Sequence, residues 1–88
     1  MISGNRKEIR SQIFKALKYQ FINNDPPEIK MAYNRLREMG YDALETKKYL
    51  ANCLLSEIFN MTQENREFDY KRYKRLLNNL PKLPTEND

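Results

Sequence analysis

The residue types that usually carry out catalysis are scarce in this sequence of 88 residues. It contains no histidine, so neither a Ser-His-Asp triad nor a Cys-His pair can form, and its single cysteine cannot assemble the usual zinc sets of Cys and His. That residue, Cys53, stands at helical spacing from Leu50, Leu54 and Glu57, which predicts a small, partly buried side chain rather than a reactive thiol. The two glycines are too far apart for a phosphate-binding loop. The sequence therefore predicts a protein without enzymatic activity, catalytic residues, cofactor or metal site.

The carboxylates do not need a histidine to act, but helix capping explains most of them. Five stand at the start of an apolar stripe of helical period, as N-cap or third helical residue: Asp25, Glu28, Asp42, Glu45 and Asp69. An N-cap side chain typically stabilises its helix by about 1 kcal/mol. Glu57 stands in the middle of a predicted helix, where we expect a solvated surface position.

These start signals predict four helices, at about residues 5–22, 26–39, 43–61 and 70–80, followed by a polar tail at 81–88. Asn5 is predicted to cap the first helix, Gly40 to close the second in a left-handed conformation, and Pro81 to stop the fourth. The polar stretch 62–67 is predicted to be a loop, and Phe68 is predicted to pack on Tyr73 across the Asp69 cap. The fold class is all-α: one domain over residues 1–88, a small four-helix bundle-like domain with a long central third helix.

Apolar residues at helical spacing predict which face of each helix is inward. The inward positions are Ile9, Ile13, Phe14, Ala16, Leu17, Phe21 and Ile22 on the first helix, Ile29, Ala32, Tyr33, Leu36 and Met39 on the second, and Tyr73, Leu76, Leu77 and Leu80 on the fourth. On the third helix the apolar residues spread around more than one face: Leu44, Leu50, Ala51, Leu54, Leu55, Ile58, Phe59 and Met61. Because only three other helices are available to cover it, we expect a homodimer.

The segments that direct a protein to a membrane or out of the cell are not evident. No stretch of 18 apolar residues occurs, and residues 1–10 lack the apolar run of a secretion signal. The lone Cys53 agrees with a reducing compartment. We therefore expect a cytoplasmic protein with no membrane partner.

The net charge of +4 raises the alternative of nucleic-acid binding. Residues 1–24 carry five positive charges and one negative, whereas residues 25–45 carry three positive and five negative, so the basic excess is not uniform. On the fourth helix Lys71, Arg72 and Arg75 are predicted to lie opposite the apolar stripe, as a basic face that is either solvated or bound to phosphates or an acidic protein. A DNA-binding helix-turn-helix fits poorly, because the third helix is about twice the needed length.

Five short sequence segments follow one another in a definite order between Gln20 and Pro81. They are Asn24-Asp25-Pro26-Pro27-Glu28, Arg35-Leu36 with Gly40-Tyr41, Glu45, Leu54-Leu55-Ser56-Glu57-Ile58-Phe59, and Phe68-Asp69-Tyr70-Lys71-Arg72-Tyr73 ending in Leu80-Pro81. This series resembles a family of small bacterial helical domains of unknown function, which supports the fold. In that family, paired histidines four residues apart tend to occur on helix 1 and at the start of helix 3. Here those positions are Arg10 and Phe14, then Leu44 and Lys48, so the resemblance implies that any site built on those histidines is lost.

Protein binding is the predicted function. The six tyrosines and four phenylalanines exceed what the inward stripes need, and exposed tyrosine is enriched where proteins meet. Tyr41, Tyr49 and Tyr70 fall at the edges of the stripes and, with the basic residues of the fourth helix, are the candidate partner-binding residues. The alternative is a purely structural role, in which these tyrosines only cover the rim of the core. The alternative function is weak nucleic-acid binding through the basic faces of helices 1 and 4.

Overall fold

The computed structural model describes residues 6–85, which form four α-helices: α1 (Arg6–Asn23), α2 (Glu28–Glu38), α3 (Ala43–Glu64) and α4 (Tyr70–Asn79). No β-strand occurs in this part of the chain, so the predicted all-α, four-helix fold is confirmed. The 22-residue α3 packs against each of the other three helices, as predicted for the central helix. The predicted cap at Asn5 lies outside the described residues. No helix within residues 6–85 has the length and apolar character needed to cross a membrane.

The core lies between α3 and the inner faces of the other helices. Its buried apolar residues are Ile13, Leu17, Ile29, Ala32, Leu36, Leu50, Ala51, Cys53, Leu54, Tyr73, Leu76, Leu77 and Leu80. The hydroxyl of the fully buried Tyr73 donates a hydrogen bond to Gln20 Oε1 at 2.6 Å, which links α4 to α1. Arg35 of α2 donates to the carbonyl oxygens of Leu77 and Leu80 at 2.9 and 3.0 Å, so α2 binds the last carbonyls of α4.

Of the three predicted caps that lie within residues 6–85, two are confirmed. At α3, Glu45 N donates to Asp42 Oδ1 at 2.7 Å and Asp42 N donates to Glu45 Oε1 at 3.1 Å, which is a complete capping box. At α4, the backbone N–H of residue 72 donates to Asp69 Oδ1 at 3.0 Å. The rings of Phe68 and Tyr73 pack edge to face across this cap, with centroids 5.5 Å apart.

The predicted Asp25 cap of α2 is wrong. The helix begins at Glu28 behind Pro27, and no side chain caps it. An N-cap at Asp25 would bind the N–H of residue 27 or 28; Pro27 has no N–H, and α2 begins only at Glu28, so Asp25 stands three residues before the helix rather than at its N-cap. The first turn is closed instead by the backbone, because Ile29 N donates to the carbonyl of the buried Pro26 at 3.0 Å.

Helices α2 and α3 each end at a residue with a left-handed backbone conformation. Gly40 closes α2 with φ +105°, as predicted, and Tyr41 N donates back to Leu36 O at 3.1 Å. The prediction that α3 ends near Met61 and that residues 62–67 form a loop is wrong for 62–64, since α3 continues to Glu64. Asn65 closes the helix, and its φ of +52° places it in the left-handed region, as at Gly40.

Several predicted inward residues are in fact exposed. Met39 lies at the end of α2, where the chain turns away, and it is Tyr41 beyond the turn that packs on the core. Ile22 of α1 is 67% exposed, and Leu44 of α3 is 58% exposed. Phe59, near the end of α3, is 61% exposed. The three helices around α3 therefore leave part of its apolar surface uncovered.

Candidate partner-binding groove

A groove with an apolar floor runs between α1 and the first half of α3. The part next to α2 has a volume of about 790 Å³, and its floor includes Leu17, Phe21, Tyr33 and Leu50. The part towards the start of α1 has a volume of about 660 Å³, with a floor of Ile9, Ile13, Ala51 and Leu55. Phe14 and Leu44 line both parts, so the two adjoin there. We call the whole depression the α1–α3 groove.

The groove exists because α1 carries apolar side chains on two faces. Ile13 and Leu17 are buried against the core, whereas Phe14 and Phe21 are only partly buried and lie on the groove side. Phe14, Lys18 and Ile22 follow at intervals of four residues, which places them in one row along the helix. The row continues the apolar surface beyond what the core uses.

Among the described residues, every charged side chain that lines the groove is positive. These residues are Arg6, Arg10, Lys15, Lys18, Lys47 and Lys48. All six are exposed, and among the described residues none of them forms an ion pair, since the ion pairs there are made by Arg66 and Arg72. Four cations come from α1 and two from α3, so both walls of the groove are positive. A concave apolar surface with charges of one sign concentrates the electrostatic field and attracts the opposite charge.

The four positions at which the resembled family tends to have histidines meet in this groove. Arg10, Phe14, Leu44 and Lys48 all line its part towards the start of α1. Their side chains are cationic or apolar and cannot hold a metal ion. Within residues 6–85 no group of three His, Cys, Asp or Glu side chains could hold a metal ion either.

The predicted basic face of α4 is smaller than expected, because Arg72 is buried. Only 6% of this residue is exposed, and its guanidinium donates to Glu57 Oε1 at 3.0 Å and to Ser56 Oγ at 2.9 Å. Arg72 precedes Leu76 by four residues and so lies on the inward face of α4, a spacing that the sequence already contained. Lys71 and Arg75 are exposed, as predicted.

Glu57 is the ion-pair partner of the buried Arg72. The prediction that Glu57 is solvated is wrong. Its carboxylate is fully buried and also accepts hydrogen bonds from Arg66 Nη1 and from the backbone N–H of Asp69, each at 2.7 Å. Burial by itself raises the pKa of Glu57, but the hydrogen bonds from Arg66, Asp69 and Arg72 outweigh it and hold the pKa below its ordinary value. The charged carboxylate therefore joins α3, the 65–69 loop and α4.

The candidate tyrosines do not form one site with the basic residues. Tyr41 and Tyr49 are partly buried and pack edge to face, with ring centroids 5.0 Å apart, against the core. Tyr70 is more exposed and packs with Phe68, and Lys74 Nζ lies 6.0 Å from its ring centroid. None of these three tyrosines lines the groove. Tyr41 and Tyr49 therefore fit the alternative in which they cover the rim of the core.

Cys53 is fully buried in the core, which is deeper than the partly buried position that its spacing predicts. Burial raises the pKa of its thiol to about 12, against a smaller opposing effect of Arg72. The thiol is therefore protonated and shielded at neutral pH.

Comparison of the chain with protein-family models, with curated proteins and with solved structures gives no match. The resemblance to a family of small bacterial helical domains accordingly stays a prediction.

Proposed function

We propose that this protein is a non-enzymatic interaction module that binds a protein partner through the α1–α3 groove. The observation that carries the proposal is the exposure of large apolar side chains, Ile22 and Leu44, directly at a concave apolar surface. Scattered exposed apolar residues are normal, but a contiguous apolar patch with a polar rim is typical of a binding surface. Fully burying an exposed leucine or isoleucine side chain contributes about 1.5–3 kcal/mol before the costs of association, so covering these two residues favours binding at this surface.

The chemistry of the groove supports binding rather than catalysis. Ser11 and Tyr33 supply the hydroxyl groups among its lining residues, and within the described part of the chain no carboxylate or imidazole lines it to act as a general base. The thiol of Cys53 lies in the core and not in the groove. Its reduced state agrees with our expectation of a cytoplasmic location.

Photocrosslinking tests the proposal. A photoreactive amino acid at Leu44 is expected to yield a discrete protein adduct in cells that express the domain. Met31 on α2 is the matched control position, because it is also 58% exposed but does not line the groove. Equal adducts at both positions, or none at Leu44, would refute the proposal.

Weak nucleic-acid binding is the second candidate function, and the exposed cations of α1 that line the groove favour it. Arg10, Lys15 and Lys18 are exposed and can meet phosphates, whereas α4 does not offer Arg72, which binds Glu57. A Leu44 adduct that nuclease treatment removes would favour this function over the first.

A further inference from the structure

We infer that the partner presents an acidic amphipathic α-helix to the α1–α3 groove, with its apolar side on the floor and its Asp and Glu residues beside the two rims. The rims are the positive edges that Arg10 and Lys18 form on α1 and that Lys47 and Lys48 form on α3. This inference rests on the proposed protein-binding function and specifies the chemistry of the partner.

The shape of the groove favours a helix as the occupant. Its walls are two α-helices, and its lining residues on α1 extend from Arg6 to Ile22, a distance of roughly 24 Å at 1.5 Å per residue. A helix of about 16 residues has that length. Addition of a partner strand would require an exposed sheet edge, and residues 6–85 contain no strand. The groove is thus suited to a helix whose apolar residues recur at intervals of three and four.

The charge of the groove selects an acidic helix. Cations line both walls, so a ligand helix needs acidic residues on both sides of its apolar stripe. Arg10 and Lys18 of α1 would face one side of the stripe, and Lys47 and Lys48 of α3 the other. Because none of the lining residues within 6–85 is acidic, a basic helix would meet repulsion along its whole length. Charge complementarity of this kind sets partner choice and raises the association rate.

The same charges disfavour the other occupants. A second copy of the domain related by a two-fold axis across the groove would bring each positive rim against an identical positive rim. An anionic membrane attracts the rims, but a flat surface does not reach a recessed floor residue such as Leu50, which is 3% exposed. Nucleic acid likewise engages the rims without filling the apolar floor.

The test measures binding of a synthetic peptide of about 18 residues with leucines at helical spacing and glutamates elsewhere, a typical amphipathic pattern. A peptide of the same composition in scrambled order and one with lysines in place of the glutamates are the peptide controls. Fluorescence anisotropy is expected to show binding of the acidic amphipathic peptide at least tenfold tighter than of either control. Comparable binding of the scrambled peptide, or no binding of the acidic one, would overturn the inference.

Two pairs of protein variants locate the binding site. The double variant Lys18→Glu with Lys47→Glu should weaken peptide binding at least tenfold, whereas Lys71→Glu with Arg75→Glu, which changes the net charge equally, should change it less than twofold. Leu44→Asp should weaken binding at least tenfold and the equally exposed Met31→Asp less than twofold. All six substituted positions are exposed, and circular dichroism verifies that each of the four variants is folded. Equal effects of the groove variants and their controls would overturn the inference.

The outcome of this test is separable from that of the proposed function. A Leu44 adduct with a protein whose binding segment is basic or extended would refute the acidic helix but retain the protein-binding function. Binding of anionic phosphatidylglycerol vesicles or of an oligonucleotide more tightly than the acidic peptide, with loss in the Lys18→Glu and Lys47→Glu variant, would assign the groove to a membrane or to nucleic acid and overturn the inference.

Discussion

Glu57 Oε1 and Arg72 Nη1 lie 3.0 Å apart, and both side chains are buried between α3 and α4. The two residues are 15 positions apart, in different helices, and each satisfies a charge that would otherwise be costly to bury. Arg66 completes the arrangement from the 65–69 loop. This ion pair is therefore a structural link between helices, and it removes Arg72 from the surface available to a partner.

We expect Glu57→Ala to lower the free energy of unfolding by about 3–5 kcal/mol, because Arg72 is then buried without its carboxylate partner. Urea denaturation followed by circular dichroism measures the loss. Glu64→Ala is the matched control, since Glu64 also binds Arg66, at 2.7 Å, but its side chain is exposed; its loss should be under about 1 kcal/mol. Equal losses in the two variants would contradict a buried, paired Glu57.

The lowered pKa of Glu57 predicts an acid-sensitive contribution to stability. A carboxylate with a folded-state pKa below its unfolded value, about 4.3 for Glu, stabilises the fold above that unfolded value. This contribution is lost as the pH falls from near 5 through the folded-state pKa. Wild type should therefore exceed Glu57→Gln in unfolding free energy at pH 7, and the difference should shrink towards pH 3. A difference that is constant with pH would contradict the assignment.

Leu54→Ala should lower the free energy of unfolding by about 2–5 kcal/mol, because Leu54 is buried on the central helix and its truncation leaves a cavity. Ile58→Ala should cost less than Leu54→Ala, since Ile58 is only partly buried. Lys47→Ala, at an exposed position of the same helix, should change the free energy by less than about 0.5 kcal/mol. Chemical denaturation that ranks Lys47 above Leu54 would show that the face of α3 is wrongly assigned.

We expect at most weak, non-specific binding of RNA and duplex DNA at physiological salt. Any affinity should fall with salt, with log affinity decreasing by roughly 0.7–0.9 per phosphate contact for each unit of log salt. Neutralising Lys71 and Arg75 tests the remaining basic face of α4 without disturbing Arg72. Submicromolar, sequence-selective binding that this double variant abolishes would make nucleic-acid binding the leading function.

We also expect the domain to form a two-fold dimer through the uncovered apolar surface near the end of α3. Phe59 is 61% exposed and does not line the groove, so this surface avoids the positive rims. Light scattering at micromolar concentration should give a dimer mass for wild type and a monomer mass for Phe59→Asp. A wild-type monomer mass that does not change on dilution would eliminate the dimer.

The sequence alone determined the features that depend on residues three or four positions apart. The capping box of Asp42 and Glu45, the Asp69 cap and the left-handed Gly40 were predicted because each is a contact within one helical turn. The four helices and the central position of α3 followed from the same local periodicity. The Asp25 cap failed although its pattern was equally local, because α2 begins only at Glu28, three residues after Asp25.

Only the tertiary structure decided which buried charges pair with one another and where apolar surface is left uncovered. Glu57 and Arg72 are stabilised in the interior by each other and by Arg66, and no local pattern shows that three residues from separate segments will meet. The α1–α3 groove depends in the same way on how α1 lies against α3. Periodicity predicts that a side chain such as Leu44 is apolar and on a given face, but the packing of neighbouring helices determines whether anything covers that face.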